Sequence, residues 1–376
     1  MNLLLYSGAF APSVGGVESI SLTMAETLTK CGVNVHVVTE TPDDEHKREY
    51  PFRVTRNPGF RDRFNIVKSS DLVYSNGASL ALFFHAKLAR KPFMWTHNGY
   101  QLMCIDGLGW VDGRPSPVSP LPSIWFHLRS KGLLYAAKAG AKLYLRRLVS
   151  DHVDLNIAPT QWIAKRQPLK NQVVLYTPFA LSRFKDQATQ DSHEFDFIFV
   201  GRLVSEKGVG TLLKAFRLLI DHDAYRNKKL LIVGDGRWRA DLENYCSELK
   251  LTQQVTFAGR QTGRALMEHI CKAPIAIVPS EYEEPMGGIA LELLATGRNI
   301  IVSANGGMAE CMGNAGLTYV NGDARHLCDR MKELSENKLL RQQQRDMAIA
   351  QLEKFDEMIL TRKYLEVFEA AVRKRR

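Results

Sequence analysis

The sequence predicts an α/β protein made of two doubly wound parallel-sheet domains, and three observations predict it. Short apolar runs alternate with stretches of helical periodicity, and that alternation restarts near Phe195 after a polar, patternless segment. The third is length: 376 residues is two to three domains' worth of chain, at roughly 150 residues per domain. Strands that alternate with helices imply parallel sheets covered on both faces.

Residues 3–6 read as the first strand, followed by a loop punctuated by glycine. Val17, Ile20, Met24, Leu28 and Cys31 then recur at helical spacing, and Gly32 ends that helix before a strand over residues 33–39. Further strands are expected at 52–55, 72–75, 92–96 and 153–158. Pro115, Pro117, Pro120 and Pro122 read as one stiff loop over 116–123, neither helix nor central strand. In the second half, strands are expected at 195–200, 230–233, 255–257, 275–279 and 300–302, with helices at 209–220 and 238–249. The boundary falls in the polar segment 179–193, which gives domains over 1–180 and 181–354. The tail, 355–376, reads as a helix that packs back on the first domain. Open sheets bind ligands at the carboxyl ends of their strands, so two such domains are expected to face each other across a cleft.

Composition narrows the class. With 45% hydrophobic and 24% charged residues the chain can bury substantial cores, which argues against a disordered or fibrous protein. No apolar run approaches the roughly 18–20 residues that cross a bilayer, and the N-terminus lacks a signal peptide's positive head and cleavable tail. The expectation is a soluble intracellular chain. Its six cysteines show no metal-ligand spacing and read as free thiols in a reducing cytoplasm, packed as small hydrophobes. The net charge of +10 is unevenly placed: residues 1–180 hold 21 Lys/Arg against 13 Asp/Glu, and the remainder 29 against 27. Residues 113–150 carry seven cations and no acid. Such asymmetry points to a polyanionic partner, either nucleic acid or an anionic membrane surface.

Three clusters have the residue types that chemistry needs. Glu284 and Glu292 lie eight positions apart around Gly287-Gly288 at a helix start. Carboxylates suit a ribose diol and open N–H groups suit an anion or sugar hydroxyls, although acids at a helix start also simply complement its dipole. Arg202 and Lys207 follow a strand at its carboxyl end, where two cations could stabilise a leaving diphosphate or merely decorate a solvated loop. Gly15-Gly16 before a helix lets a backbone approach a phosphate, or only makes a tight turn. His97 ends a strand and is either a ligand group or a packed core histidine. Gly234-Asp235-Gly236 has Arg239 where a dinucleotide loop needs its third glycine, and Asp221-His222-Asp223 reads as solvated acids rather than a metal site.

Taken in order, these clusters resemble the family 4 retaining glycosyltransferases, whose GT-B architecture has two Rossmann-like domains. The resemblance rests on Phe10-Ala-Pro12 with Gly15-Gly16-Val17-Glu18, Gly201-Arg202 with Glu206-Lys207-Gly208, and Val233-Gly234-Asp235-Gly236. It continues through Val255 to Gly259, Glu284 to Glu292, and Gly306-Gly307-Met308-Ala309-Glu310. It implies that Arg202 and Lys207 neutralise a nucleotide diphosphate, and that Glu292 holds the ribose. Glu284, with the backbone of Met286, Gly287 and Gly288, would grip the donor sugar. Gly15 and Gly16 would approach the phosphates, Gly259 and Arg260 would contact the base, and His97 would lie near the reacting face. The family's usual phenylalanine after Glu-Pro is Met286 here, and the Asn-Gly expected before the linker is missing.

The reaction so implied is a metal-independent transfer, without a resident cofactor, from a nucleotide-sugar donor, UDP-sugar before GDP-sugar, to a lipid-linked or cell-envelope glycan acceptor. The rivals are a GT-B enzyme on a soluble acceptor, a sugar-nucleotide epimerase, and a non-catalytic nucleotide-sugar or nucleic-acid binding protein. Residues 125–147 mix cations with Trp125, Phe126, Leu133, Leu134, Leu143 and Leu145 at helical spacing. That mixture favours an anionic membrane surface over nucleic acid, and so a cytoplasmic protein peripheral on the inner face of the membrane.

Overall fold

The computed structural model describes residues 1–13, 15–42, 49–185 and 193–375. Residues 186–192, part of the segment that the sequence marks as a linker, lie outside the described residues. The chain forms two compact units: Met1–Gly109, Ser116–Phe179 and Phe355–Arg376 make the first, and Trp110–Pro115 with Ala180–Lys354 the second.

In chain order the first elements are β1 (Asn2–Ser7), α1 (Gly16–Lys30), β2 (Asn34–Thr39), β3 (Arg53–Arg56), α2 (Phe60–Ser69), β4 (Leu72–Asn76), α3 (Phe83–Leu88) and β5 (Phe93–Thr96). A short hairpin, β6 (Trp110–Val111) and β7 (Arg114–Pro115), precedes α4 (Pro120–Lys131), α5 (Leu133–Ser150), β8 (Leu155–Ala158), α6 (Gln161–Arg166) and β9 (Gln172–Val174). Then come α7 (Ser182–Lys185), β10 (Phe197–Val200), α8 (Val209–Ile220), β11 (Leu230–Val233), α9 (Arg239–Glu248), β12 (Val255–Gly259), α10 (Gly263–Ile270) and β13 (Ile275–Val278). The chain closes with α11 (Gly288–Ala295), β14 (Asn299–Ser303), α12 (Gly307–Met312), β15 (Leu317–Tyr319), α13 (Ala324–Glu336), α14 (Lys338–Glu353) and α15 (Glu357–Arg375).

The first unit's sheet has the order β3-β2-β1-β4-β5-β8-β9, with every pairing parallel. Both of its faces are covered, which is why β1 reads as an unbroken apolar run. Leu3 and Leu5 face a cluster with Met24 and Leu28 of α1, while Leu4 and Tyr6 face Val73, Phe93 and Trp95 on the other side. The tail helix α15 belongs to the first of these clusters. Its Tyr364 and Phe368 are fully buried and pack on Tyr74, with ring centroids 5.9 and 5.1 Å away. Burying such side chains is worth about 1.5–3 kcal/mol each, so the last helix is part of this unit's core.

The proline reading needs correction. Pro120 and Pro122 lie in the first turn of α4, where the N–H that proline lacks would have had no intrahelical partner. Strands β9 and β15, three residues each, carry too little periodicity to be read from the sequence.

The second unit's sheet has the order β12-β11-β10-β13-β14-β15, again parallel throughout. Helix α8 presses Leu212, Leu213, Phe216 and Leu219 onto Phe197, Phe199 and Ile232. The β6–β7 hairpin belongs to this unit although it leaves the first unit's chain; Trp110 Nε1 donates to Ser205 Oγ over 3.0 Å. In both sheets the strand order reverses once, between β1 and β4 and between β10 and β13. Ligands of open parallel sheets bind outside the carboxyl ends of the strands at that reversal.

Candidate functional site

At the second unit's reversal point the loops after β10 and β13 meet. After β10 the chain runs through Gly201 and Arg202 into a single 3-10 turn, Ser205–Lys207, and then enters α8 through Gly208. Gly208 has φ +67°, and a Cβ there would stand 1.9 Å from the carbonyl oxygen of Pro279, so the two loops touch backbone to backbone. Only glycine permits that approach. Glu281 N donates to the Glu206 carbonyl over 3.0 Å, locking the loops a second time.

This contact sets the charges. Lys207 Nζ lies 2.6 Å from Glu284 Oε1, and Ser280 Oγ donates to the same oxygen. The Lys207 ammonium also stands 5.4 Å from the Tyr282 ring centroid. Burial alone would lower the lysine's pKa, but the Glu284 carboxylate, and then Tyr282, outweigh it and hold the group above its ordinary range. Lys207 is therefore a fixed cation whose counter-ion is built in. Arg202 is different: its side chain is 69% exposed and its nearest acid, Glu206, is 3.9 Å away. It is the group of the pair with room to meet an incoming anion.

Glu284 does not sit on the helix, as its spacing from Glu292 suggested. It pairs with Gly306 in an isolated parallel bridge, and Gly307 N donates to its carbonyl over 2.6 Å. Gly306 has φ +134°, and a Cβ there would meet Glu284 N and O at 2.8 Å. The helix α11 begins later, with Gly287 as its N-cap and no side-chain cap. Its first internal bond runs from Leu291 N to the Gly287 carbonyl over 2.9 Å, so the N–H groups of Gly288 to Ala290 point out of the helix mouth without intrahelical partners. Glu292 lies in the next turn, half-buried and with no hydrogen-bond or ion-pair partner among the described residues. Burial pushes its carboxyl up to about 7.

The structure thus brings Arg202, Lys207, Glu284, Met286, Gly287, Gly288 and Glu292 to one reversal point. Gly259 and Arg260 stand at the carboxyl end of β12, two strands along the same edge, where Gly259 accepts from Gly234 N over 2.9 Å and Arg260 is exposed.

The first unit's reversal point is built mainly from glycines, amides and hydroxyls, with the Glu18 carboxylate beside Gly15. Gly15 is the N-cap of α1 and Gly16 its first residue. The Glu18 carboxylate folds back over Gly15, where a Cβ would meet Oε2 at 2.5 Å, and it accepts from Ser13 Oγ over 3.2 Å. At Gly16 a Cβ would meet nothing within 4 Å, so the loop is open there. His97 follows β5 and is fully buried. Asn156 Nδ2 donates to the carbonyls of Ser150 (2.9 Å) and Lys170 (2.8 Å), which turns its Oδ1 toward His97 Nε2 at 2.8 Å. Nε2 therefore carries the proton, and Nδ1 is a buried acceptor with no partner among the described residues. Burial lowers the imidazole to about 4, against the raising effect of Asn156, so the ring is neutral.

Sequence reasoning missed the amides beside it. Asn98 Nδ2 donates to Asn76 Oδ1 (2.7 Å), Asn76 Nδ2 to Ser21 Oγ (2.7 Å), and Ser21 Oγ to Ser7 Oγ (2.8 Å). The only signal was that Asn76 and Asn98 end or follow predicted strands.

Residues 125–147 form the α4–α5 helical hairpin, and the structure sorts them. Trp125, Leu133, Leu134, Tyr135, Tyr144 and Leu145 are exposed, Leu134 to 85%. Arg129 stands 4.6 Å over the Trp125 ring, and Lys131 5.1 Å over Tyr135. Leu143, however, is buried, and Arg147 turns inward to donate to the Leu102 carbonyl over 2.9 Å. Arg146 is half-buried, with burial lowering its pKa. The outward cations are Arg129, Lys131, Lys138 and Lys142. No helix of the described residues is long and apolar enough to cross a membrane, and no cluster of metal-ligating side chains occurs among them. The Asp221-His222-Asp223 acids pair with Arg217 and Arg226 instead.

Residues 182–351, within the second unit, match the family model described as glycosyl transferases group 1. The chain is 33% identical over 238 residues to a 2-deoxystreptamine glucosyltransferase of Streptomyces kanamyceticus, covering 61% of this chain and 57% of that protein. It is 29% identical over 184 residues to the lipopolysaccharide core biosynthesis glycosyltransferase LpsD of Rhizobium meliloti, covering 48% of this chain and 51% of that one. The chain thus spans little more than half the length of these curated relatives. Among solved structures, Anabaena Alr3699/HepE in complex with UDP and glucose superposes with a TM-score of 0.72 at 16% identity, covering 98% of this chain and 99% of that one. The fold is GT-B, with two Rossmann-like domains.

Proposed function

We propose that the protein is a retaining, metal-independent glycosyltransferase. It moves a sugar from a nucleotide diphosphate, UDP-sugar before GDP-sugar, to a lipid-linked or cell-envelope glycan. The observation that carries this reading is the Arg202–Lys207–Glu284 arrangement at the second unit's strand reversal: one cation locked by a buried carboxylate and one open to solvent. A departing diphosphate gathers negative charge as the C1–O bond breaks. Preorganised cations stabilise that charge without reorganising and do the work that a metal would otherwise do.

In the proposed step the electron pair of the sugar C1–O bond leaves with the diphosphate, Arg202 and Lys207 holding its oxygens. The acceptor hydroxyl bonds C1 from the same face, and its proton passes to the departing oxygen. Glu292 accepts from the ribose hydroxyls, which needs its carboxylate form. Because Glu284 Oε1 is taken by Lys207 and Ser280, its grip on the donor sugar falls to Oε2 and to the N–H groups at the mouth of α11. Gly16 would approach the phosphates, Gly259 and Arg260 the base, and His97 would lie near the donor sugar's reacting face. The α4–α5 hairpin rests on anionic headgroups of the inner leaflet, its exposed leucines and Trp125 in the interface and its outward cations above them. UDP is favoured because the structural relative holds UDP and glucose, and an envelope acceptor because LpsD is a lipopolysaccharide core enzyme.

The test is a melting-temperature panel with UDP, GDP and ADP, then UDP-sugars. A ligand at a hundred times its Kd stabilises by about 2.7 kcal/mol, which raises the melting point by several degrees. UDP should do this most. No shift with any of the three at saturating concentration would sink the reading.

A further inference from the structure

The second unit holds a cavity that the proposed transfer does not use. The β6–β7 hairpin folds over the first turns of α8 and α9 and leaves a space of about 340 Å³, at the small end of ligand pockets. None of Arg202, Lys207, Glu284 or Glu292 lines it. Three aromatic rings do: Trp110, Trp238 and Tyr245. Trp110 is held by its indole bond to Ser205. The hairpin turn lies against Trp238 at Gly113, where φ is +84° and an added Cβ would stand 3.2 Å from the indole, so a side chain there is strained.

The charged groups in this cavity are Lys214, Asp241 and Glu281. Thr211 Oγ1 donates to Glu281 over 2.6 Å and fixes one carboxylate oxygen, and the Lys214 ammonium stands 5.8 Å from the Tyr245 ring. Two carboxylates against one ammonium oppose a phosphate. An alkyl chain would cover all three charged groups without satisfying them. A neutral polyhydroxylated ring satisfies everything: its C–H face lies on the aromatic rings, its hydroxyls donate to Asp241 and Glu281, and they accept from Lys214. We propose that this cavity is a second saccharide site, taking one neutral hexopyranose unit of an oligosaccharide, distinct from the donor site. Val204 and Ser205 also line it, so an occupant braces the loop that presents Arg202 and Lys207.

The experiment is saturation-transfer NMR and calorimetry on the full chain with maltose, lactose and chitobiose, without nucleotide. At least one disaccharide should bind saturably in the millimolar range. Trp238→Ala should weaken that binding about tenfold or more, as should the exposed substitution Asp241→Asn, which removes no packing. Glu292→Gln should leave it unchanged. Absence of saturable binding by all three sugars overturns the proposal. So does binding that Glu292→Gln abolishes while Trp238→Ala and Asp241→Asn retain it, which places the sugar at the donor site. The UDP melting shift, measured on the same Trp238→Ala protein, reports on the donor site separately, so either reading can fail without the other.

Discussion

The two units solve the same topological problem with different electrostatics. Each is a parallel sheet whose strand order reverses once. At the first reversal the groups are amides, hydroxyls and the Glu18 carboxylate, with a histidine that burial keeps neutral one strand further on. At the second they are Arg202, Lys207, Glu284 and Glu292. The difference teaches that fold alone places a site but does not choose its ligand. A diphosphate needs fixed cations, whereas sugar hydroxyls need directional donors and acceptors, charged or neutral.

The largest effect expected comes from separating the charged unit's buried pair. Lys207→Met leaves the Glu284 carboxylate buried without its ammonium and should cost about 3–5 kcal/mol of stability. The double substitution Lys207→Met with Glu284→Gln should recover most of that loss in urea unfolding. Equal losses in the single and double variants would show that the pair is not coupled.

The two reversal points should also titrate in opposite directions. His97 takes a proton near 6.5 when unfolded and near 4 when folded. Its stability is therefore complete above pH 6.5 and is lost as pH falls toward 4, by something on the order of 3 kcal/mol. His97→Gln should flatten that stretch of the stability profile. Glu292 runs the other way: its carboxyl is raised from 4.5 to about 7, so its share of stability is complete below pH 4.5 and is lost as pH rises to 7. Under the proposed function binding compensates on the same group, because the ribose hydroxyls assigned to Glu292 would need its carboxylate. Affinity for a nucleotide sugar, whose diphosphate does not titrate here, should rise by up to about tenfold between pH 6 and 8 and stay flat in Glu292→Gln. A rise that survives in Glu292→Gln would remove this residue from the donor site.

Much of this was legible from residue order alone. The apolar runs of β1, β10, β11 and β13 announce themselves because strands covered on both faces are continuously hydrophobic. The cations and glycines after β10 and β13 are legible because parallel strands bring their carboxyl ends to one edge. The Lys207–Glu284 pair was not, since residues 77 apart meet only through the backbone contact at Gly208. Nor were Asn76, at a strand end, and Asn156, inside a strand, which look like ordinary polar residues until their partners are known. The prolines of α4 misled because a first helical turn tolerates what a helix interior does not.

The smallest effect concerns the hairpin. Lys142→Gln should weaken sedimentation with phosphatidylserine vesicles about fivefold, the value of about 1 kcal/mol for one interfacial cation. Arg147→Gln should instead lower stability, because its guanidinium is spent on the Leu102 carbonyl. If both variants bind vesicles like the parent protein, the hairpin is not a membrane face.

The central claim is that charge at the second reversal point drives departure of the diphosphate. Arg202 tests it most directly, because its side chain is 69% exposed and can be removed without disturbing the core. Hydrolysis of a UDP-sugar, with water as acceptor, should fall by about 10²–10³ in kcat/KM in Arg202→Ala while the melting temperature stays at the parent value. Parental kcat/KM in a folded Arg202→Ala protein would contradict the account.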